Sequence, residues 1–233
     1  RVCSSDLYYD DYWNHAAHRG DHWTPSEGII TVEEDELFAR WIARGATCLD
    51  YGCGDGSRYG RVLNNRGVDY RGFDISPLAL EQARTQGLNV GELNAEGKTN
   101  LAASSLDAAI CFEVLEHLHE PQNALAEILR CLKPGGLLLA SVPNAAFWIR
   151  RLQFFATGSW CPGGSPLTAR REPWRDPHIR FFHPPMLRRL VTRAGFRVEV
   201  EVGEAFTIGA LPVVWRRPGL RRFADLISRP VAW

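Results

Sequence analysis

Three groups of residues have types and spacings that could do chemistry. Leu49-Asp50-Tyr51-Gly52-Cys53-Gly54-Asp55-Gly56 sets glycines at alternate positions behind a short apolar run. Glycines there permit a tight turn and remove the β-carbons that would hold a ligand off the backbone. A helix opening after such a turn presents free N–H groups that suit an anionic group. Asp74 closes the next apolar run, 22 residues after Gly52. At the carboxyl edge of an open sheet, a carboxylate in that place can accept both hydroxyls of a ribose. The second group is Glu113, Glu116 and His117, whose i, i+3 and i+4 spacing shares one face of a helical turn. Their side chains could move a proton, and their hard oxygens suit magnesium; a turn whose Glu and His satisfy nearby backbone is the structural alternative. Third is His178, in Asp176-Pro177-His178-Ile179-Arg180-Phe181-Phe182. A histidine titrating near neutral pH could take a hydroxyl proton, or simply hold its segment by a hydrogen bond. Arg180 could meet an acidic ligand, with a solvated salt bridge as the alternative.

These residues need a frame, and residues 31–143 alternate helix and strand. Thr31 and Glu34 form a capping-box signature before Leu37, Phe38, Trp41 and Ile42. Thr47–Tyr51 reads as a buried strand, 57–66 as a helix closed by Gly67, and Tyr70–Asp74 as a second strand. Ser76 caps the next helix, with Pro77 in its first turn and Gly87 past its end. Leu88–Leu93 and Leu106–Phe112 read as strands, 122–132 as a helix, and Leu137–Val142 as an apolar strand covered on both faces. Such repeated units predict an α/β chain with a Rossmann-like, open, mostly parallel sheet and helices on both faces. After Pro143 the periodicity weakens until a helix over 184–194 and a strand over 196–202.

The expected organisation is a non-native leader over 1–7, an N-terminal flap over 8–30 and a cofactor-binding core over 31–143. A substrate lid or insertion follows over 144–182, and 183–233 completes the same domain, with both ends expected to be truncated. Tyr8, Tyr9, Tyr12 and Trp13 could form a flap or pack an N-terminal helix. The chain has 27 basic and 27 acidic residues, which argues against a dedicated nucleic-acid binder. The charges are divided, however: 12 basic against 21 acidic in residues 1–143, and 15 against 6 thereafter. The basic part, with Trp215-Arg216-Arg217-Pro218 and the arginines after it, could rest on anionic lipid or form a solvated helix. Six cysteines without a C-x-x-C pair predict free thiols, and with no visible secretory signal a reduced cytoplasmic setting.

The glycine turn alone fits a nicotinamide dinucleotide or S-adenosylmethionine; Ser57 stands where the dinucleotide fingerprint wants Gly or Ala. Two more motifs join it and Gly72-Phe73-Asp74: Phe112-Glu113-Val114-Leu115-Glu116-His117-Leu118 and Leu132-Lys133-Pro134-Gly135-Gly136. In this order and at these intervals, over about residues 45–200, the four resemble class I S-adenosylmethionine-dependent methyltransferases. Within that family the likeness is to the group containing the ubiquinone-biosynthesis O-methyltransferases. The resemblance implies S-adenosylmethionine as cofactor, with Gly52, Cys53 and Gly54 along its methionine part and Asp50 toward its amino group. It implies Asp74 on the ribose, Ile75 on the adenine face, Asn94 and Ala95 at the adenine edge, and Phe112 in the cofactor site. Many family members have Asp at position 94, and an Asn carbonyl could accept from the adenine amine instead. In the ubiquinone-type enzymes the Glu113, Glu116, His117 pattern is associated with a divalent cation, which is not expected here. The family's sheet order is 3-2-1-4-5-7-6 with an antiparallel last strand, for which no candidate appears before residue 233. The expected activity is methyl transfer to a small acceptor, a hydroxyl oxygen, with His178 as base. The alternative of another class is a non-catalytic accessory protein that binds the cofactor and acts through a partner.

Overall fold

The computed structural model describes residues 32–158, Trp160 and residues 178–201. Contacts divide the chain into a unit ending at Gly195 and a second beginning at Phe196. The elements in chain order are α1 (Val32–Trp41), β1 (Thr47–Tyr51), α2 (Gly60–Asn65), β2 (Asp69–Asp74), α3 (Pro77–Thr85), β3 (Val90–Glu92) and β4 (Leu106–Phe112). A 3-10 turn (Leu115–His117) precedes α4 (Pro121–Cys131), β5 (Leu132–Ser141), α5 (Trp148–Thr157) and α6 (Pro184–Arg193).

Five strands form one sheet in the order β3-β2-β1-β4-β5, and every pair is parallel. Their carboxyl ends therefore share one edge. Strand order reverses between β1 and β4, which opens a crevice there. Right-handed crossovers put α2 and α3 on one face and α4 on the other. Both faces are consequently dry: Leu106, Ala108, Ala109, Ile110 and Cys111 of β4 are all buried. On one side Phe38, Leu63, Tyr70 and Ala83 pack over Cys48 and Ile110. Local chemistry sets the helix ends, as where Ser76 Oγ accepts from Ala79 N at 3.3 Å ahead of Pro77.

The elements differ from the sequence reading where local bonding competes with pattern. Asp55 Oδ1 accepts from Ser57 N at 2.9 Å, so the residues before Gly60 turn instead of opening α2. In β5, Leu132 pairs with Leu106 and Leu137 with Ala108. Lys133 to Gly136 thus bulge out of a strand already begun, and Pro134 is tolerated there because a bulge leaves its ladder position vacant. α5 is a helix the sequence did not announce; its Trp148, Leu152, Phe154 and Phe155 stay exposed, so no buried stripe marks it. The strand expected over 196–202 is not found in the described residues 196–201. Val198 and Val200 there are exposed, and no neighbouring strand among the described residues completes their backbone hydrogen bonds. Among the described residues no strand is antiparallel, and no helix is long and apolar enough to cross a membrane. The expected aromatic flap, Thr31, and the basic segment from Trp215 lie outside the described residues.

Candidate functional site

Beside the switch point, the turns at the carboxyl ends of β1 and β2 form one wall of the crevice. Gly52 has φ +83°, a conformation side chains resist, and a β-carbon there would stand 2.4 Å from Val114 Cγ2. Only glycine lets the chain turn here beneath Val114. Gly52 N and Cys53 N donate to Phe73 O at 2.7 and 3.1 Å, tying the turn to the end of β2. Asp74 completes the tie. Its Oδ2 accepts from Gly54 N at 2.8 Å and its Oδ1 from Ser76 N at 2.9 Å. Backbone N–H groups take up most of the carboxylate's roughly four acceptor sites, and what remains lets Asp74 shape the turn and still meet a ribose hydroxyl.

Asp50 and Asp74 are 2 % and 9 % exposed. The described ion pairs of Arg71, Arg130, Lys133 and Arg197 go elsewhere, to Asp69, Glu127, Asp107 and Glu199. Burial pushes the Asp50 carboxyl up to about 7, against the pull of the Tyr70 hydroxyl and with a further push from Asp74. Asp74 is also pushed up by burial, opposed by the N–H groups of Ser76, Gly54 and Ile75. Two buried carboxyls with no cation paired to them among the described residues make a crevice that favours a positively charged ligand.

The expected adenine side lies beyond β2 and β3. Ile75 is half-buried, while Asn94 and Ala95 are exposed. Asn94 Oδ1 accepts from Glu96 N at 3.1 Å and Lys98 N at 2.8 Å. Both lone pairs of that oxygen face its own loop, whose N–H groups fix the Asn94 side chain at the expected adenine edge. Phe112 stacks on Phe38 with centroids 6.0 Å apart and meets the edge of Tyr59 at 5.1 Å.

Beyond β4 the expected single helical face does not form. Glu113 sits outside the turn at φ +55°, its Oε1 accepting from Ser141 Oγ at 2.8 Å. Crowding by protein atoms, then the Glu116 carboxylate, push its pKa up to about 7, although much of the residue remains open to water. Glu116 instead turns inward, 1 % exposed. Its carboxylate meets His117 Nε2 at 3.8 Å and His178 Nε2 at 3.7 Å, and neither of its oxygens accepts a hydrogen bond among the described residues. The two imidazoles stack with centroids 4.6 Å apart. Glu116, His117 and His178 thus bring three ligand atoms within 4.8 Å of one another, a set in which His178 replaces Glu113. Backbone staples hold His178 there: Ile179 N and Arg180 N both donate to Glu116 O at 3.0 Å. Arg180 Nη2 donates to His119 O at 2.7 Å, so the arginine secures the segment.

Residues 32–201 match the family model described as a methyltransferase domain. A ubiquinone biosynthesis O-methyltransferase of Xanthomonas oryzae pv. oryzae is 32 % identical over 126 residues, 52 % of each chain; the match thus spans about half of that relative. One of Xanthomonas axonopodis pv. citri is 29 % identical over 185 residues, 75 % of this chain and 72 % of the relative. Among solved structures, a SAM-dependent methyltransferase of Thermotoga maritima aligns with TM-score 0.52 and 23 % identity over 70 % of each chain. The parallel sheet, the switch-point crevice and the family match over most of its length agree: the chain belongs to the methyltransferase domain family and has the class I S-adenosylmethionine-dependent fold.

Proposed function

We propose that the protein transfers the methyl group of S-adenosylmethionine to a hydroxyl oxygen of a small-molecule acceptor. The observation that carries this reading is Glu116, buried between His117 and His178 on the turn after β4. Bound S-adenosylmethionine would supply an activated methyl to the acceptor oxygen, its sulfonium being released as the neutral thioether of S-adenosylhomocysteine. The hydroxyl proton goes to His178, whose imidazolium is stabilised by the Glu116 carboxylate. With the methyl already activated, the protein chiefly aligns the acceptor and excludes water. In the crevice Asp50 takes the cofactor's ammonium, Gly52, Cys53 and Gly54 flank its methionine part, and Asp74 takes a ribose hydroxyl. Ile75 and Ala95 border the adenine, with Phe112 at the site's floor. The name of the relatives, O-methyltransferase, supports oxygen as the acceptor atom.

Methyl-labelled cofactor offered with a pool of phenols and alcohols tests the proposal. Label in an ether product, with kcat falling tens of fold in His178→Ala, is the expected result. Cofactor bound without any transfer would favour the non-catalytic accessory reading.

A second reading is supported by the same donor set. One carboxylate and two imidazoles within ligand distance fit a divalent cation, held by Glu116, His117 and His178, which would lower the acceptor hydroxyl's pKa. Chelation that abolishes transfer, restored by magnesium or zinc, distinguishes it; insensitivity leaves His178 as the base.

Asp50 makes cofactor binding pH-dependent. Below about 7 its carboxyl carries a proton that an incoming ammonium must displace. Affinity for S-adenosylhomocysteine will therefore rise from pH 6 to pH 8, up to about tenfold per unit below 7, and then level off. Calorimetry across that range checks it; a flat profile removes Asp50 from contact with the ammonium.

A further inference from the structure

Tyr70 belongs to no motif, yet its hydroxyl lies against the Asp50 carboxylate. It is 3 % exposed, and the hydroxyl donates to Asp50 Oδ2 at 2.8 Å. Sheet register explains how a residue at the start of β2 reaches the end of β1. Cys48 pairs with Tyr70 and Asp50 with Gly72, and alternation puts positions 70, 72 and 74 on one face. Gly72, beside Asp50, leaves its place on that face empty. The tyrosine fills it.

Two glycines make room for this ring among its neighbours. A β-carbon at Gly72 would stand 2.7 Å from Tyr70 Oη, and one at Gly60 2.9 Å from Tyr70 Cζ. Neither glycine has a positive φ, so packing, against the tyrosine together with Leu88 at Gly60 and Cys53 and Val90 at Gly72, and not backbone conformation, excludes a side chain there. The hydroxyl also stands near Cys53, whose Sγ would be 2.8 Å from the same Gly72 β-carbon.

We propose that Tyr70 is a positioning residue, which fixes the Asp50 carboxylate so that it meets the cofactor's ammonium already oriented. The inference rests on the proposed cofactor role of Asp50. Burial opposes a charge on Asp50, and a donated hydrogen bond to the carboxylate favours its charged form. The other titratable groups around it, Asp74 of β2 and the thiols of Cys48, Cys53 and Cys111, supply no positive charge. Tyr70 therefore does by hydrogen bond what no cation does among the described residues.

The test is Tyr70→Phe, which keeps the ring and so the packing against Gly60 and Gly72. S-adenosylhomocysteine binding is measured by calorimetry in wild type, Tyr70→Phe, Asp50→Asn and the double variant, from pH 6 to pH 9. Wild type binds first, as the control: failure there contradicts the proposed function and not the part played by Tyr70. The expected result is about tenfold weaker binding by Tyr70→Phe at pH 7, with the rise in affinity displaced to higher pH. The acceptor KM stays unchanged, and Tyr70→Phe adds little loss on top of Asp50→Asn. Unchanged affinity and pH profile would overturn the inference, as would an equal loss in the Asp50→Asn background. A drop in melting temperature without those binding effects would assign Tyr70 to packing alone and overturn it too.

Discussion

Asp74→Ala will bind S-adenosylhomocysteine at least tenfold more weakly than wild type. A charge-assisted hydrogen bond is worth about 1.5–3 kcal/mol, and the buried carboxylate keeps room for a further donor. It also accepts from Gly54 N and Ser76 N, so alanine frees the glycine turn as well as the sugar. Asparagine will not rescue. Either orientation of its amide would aim an NH2 group at a backbone N–H, because both carboxylate oxygens are already accepting one. Calorimetry with both variants checks this, and an unchanged affinity in Asp74→Ala would take the residue out of the site.

Glu127→Gln will lower stability by about 2–3 kcal/mol, below the range for a fully buried pair because Arg130 is 40 % exposed. Glu127 of α4 is 4 % exposed and accepts from Thr99 N at 2.9 Å and Thr99 Oγ1 at 2.7 Å. Arg130 Nε and Nη2 donate to its two oxygens at 2.8 and 2.7 Å. An amide puts an NH2 against one of these donors and removes the charge that holds the guanidinium. The melting temperature should fall by roughly 5–10 °C. Burial works to raise the pKa of Glu127, but Arg130 and Thr99 outweigh it and hold the carboxyl down at about 2, from an ordinary 4.5. A folded-state pKa below the unfolded one stabilises fully above about pH 4.5, and that contribution is lost as pH falls toward 2. Wild type will therefore lose its advantage over Glu127→Gln across that window, measured by urea midpoints. Parallel curves would contradict the assignment. Thr99 ends the loop that begins at Asn94, so the variant should also loosen the expected adenine edge.

The sequence announces the frame well because each element carries its own signal. Glycines bracket the β1 turn, Ser76-Pro77 opens α3, and apolar runs mark the strands, so the sheet and the Asp50–Asp74 crevice are legible from spacing alone. What spacing misses is contact between distant segments. Glu113, Glu116 and His117 share a face only if a regular helix forms, and a left-handed Glu113 followed by a 3-10 turn breaks that premise. Glu116 meets His178 across 62 positions of sequence, a pairing no local periodicity records. That the Asn94 carbonyl oxygen accepts from its own loop is likewise invisible in spacing. Tyr70 reads as strand filler because its partner lies on another strand. Its trace in the sequence is subtler: Gly60 and Gly72, without turn conformations, flank it at the positions its ring must cross.

A crystal structure with S-adenosylhomocysteine bound tests most directly whether the space between the ends of β1 and β2 receives an adenosine-bearing thioether. A ribose hydroxyl should lie about 2.7–3.0 Å from an Asp74 oxygen, with the amino group reaching Asp50. Ligand density elsewhere, or a ribose turned away from Asp74, would contradict it.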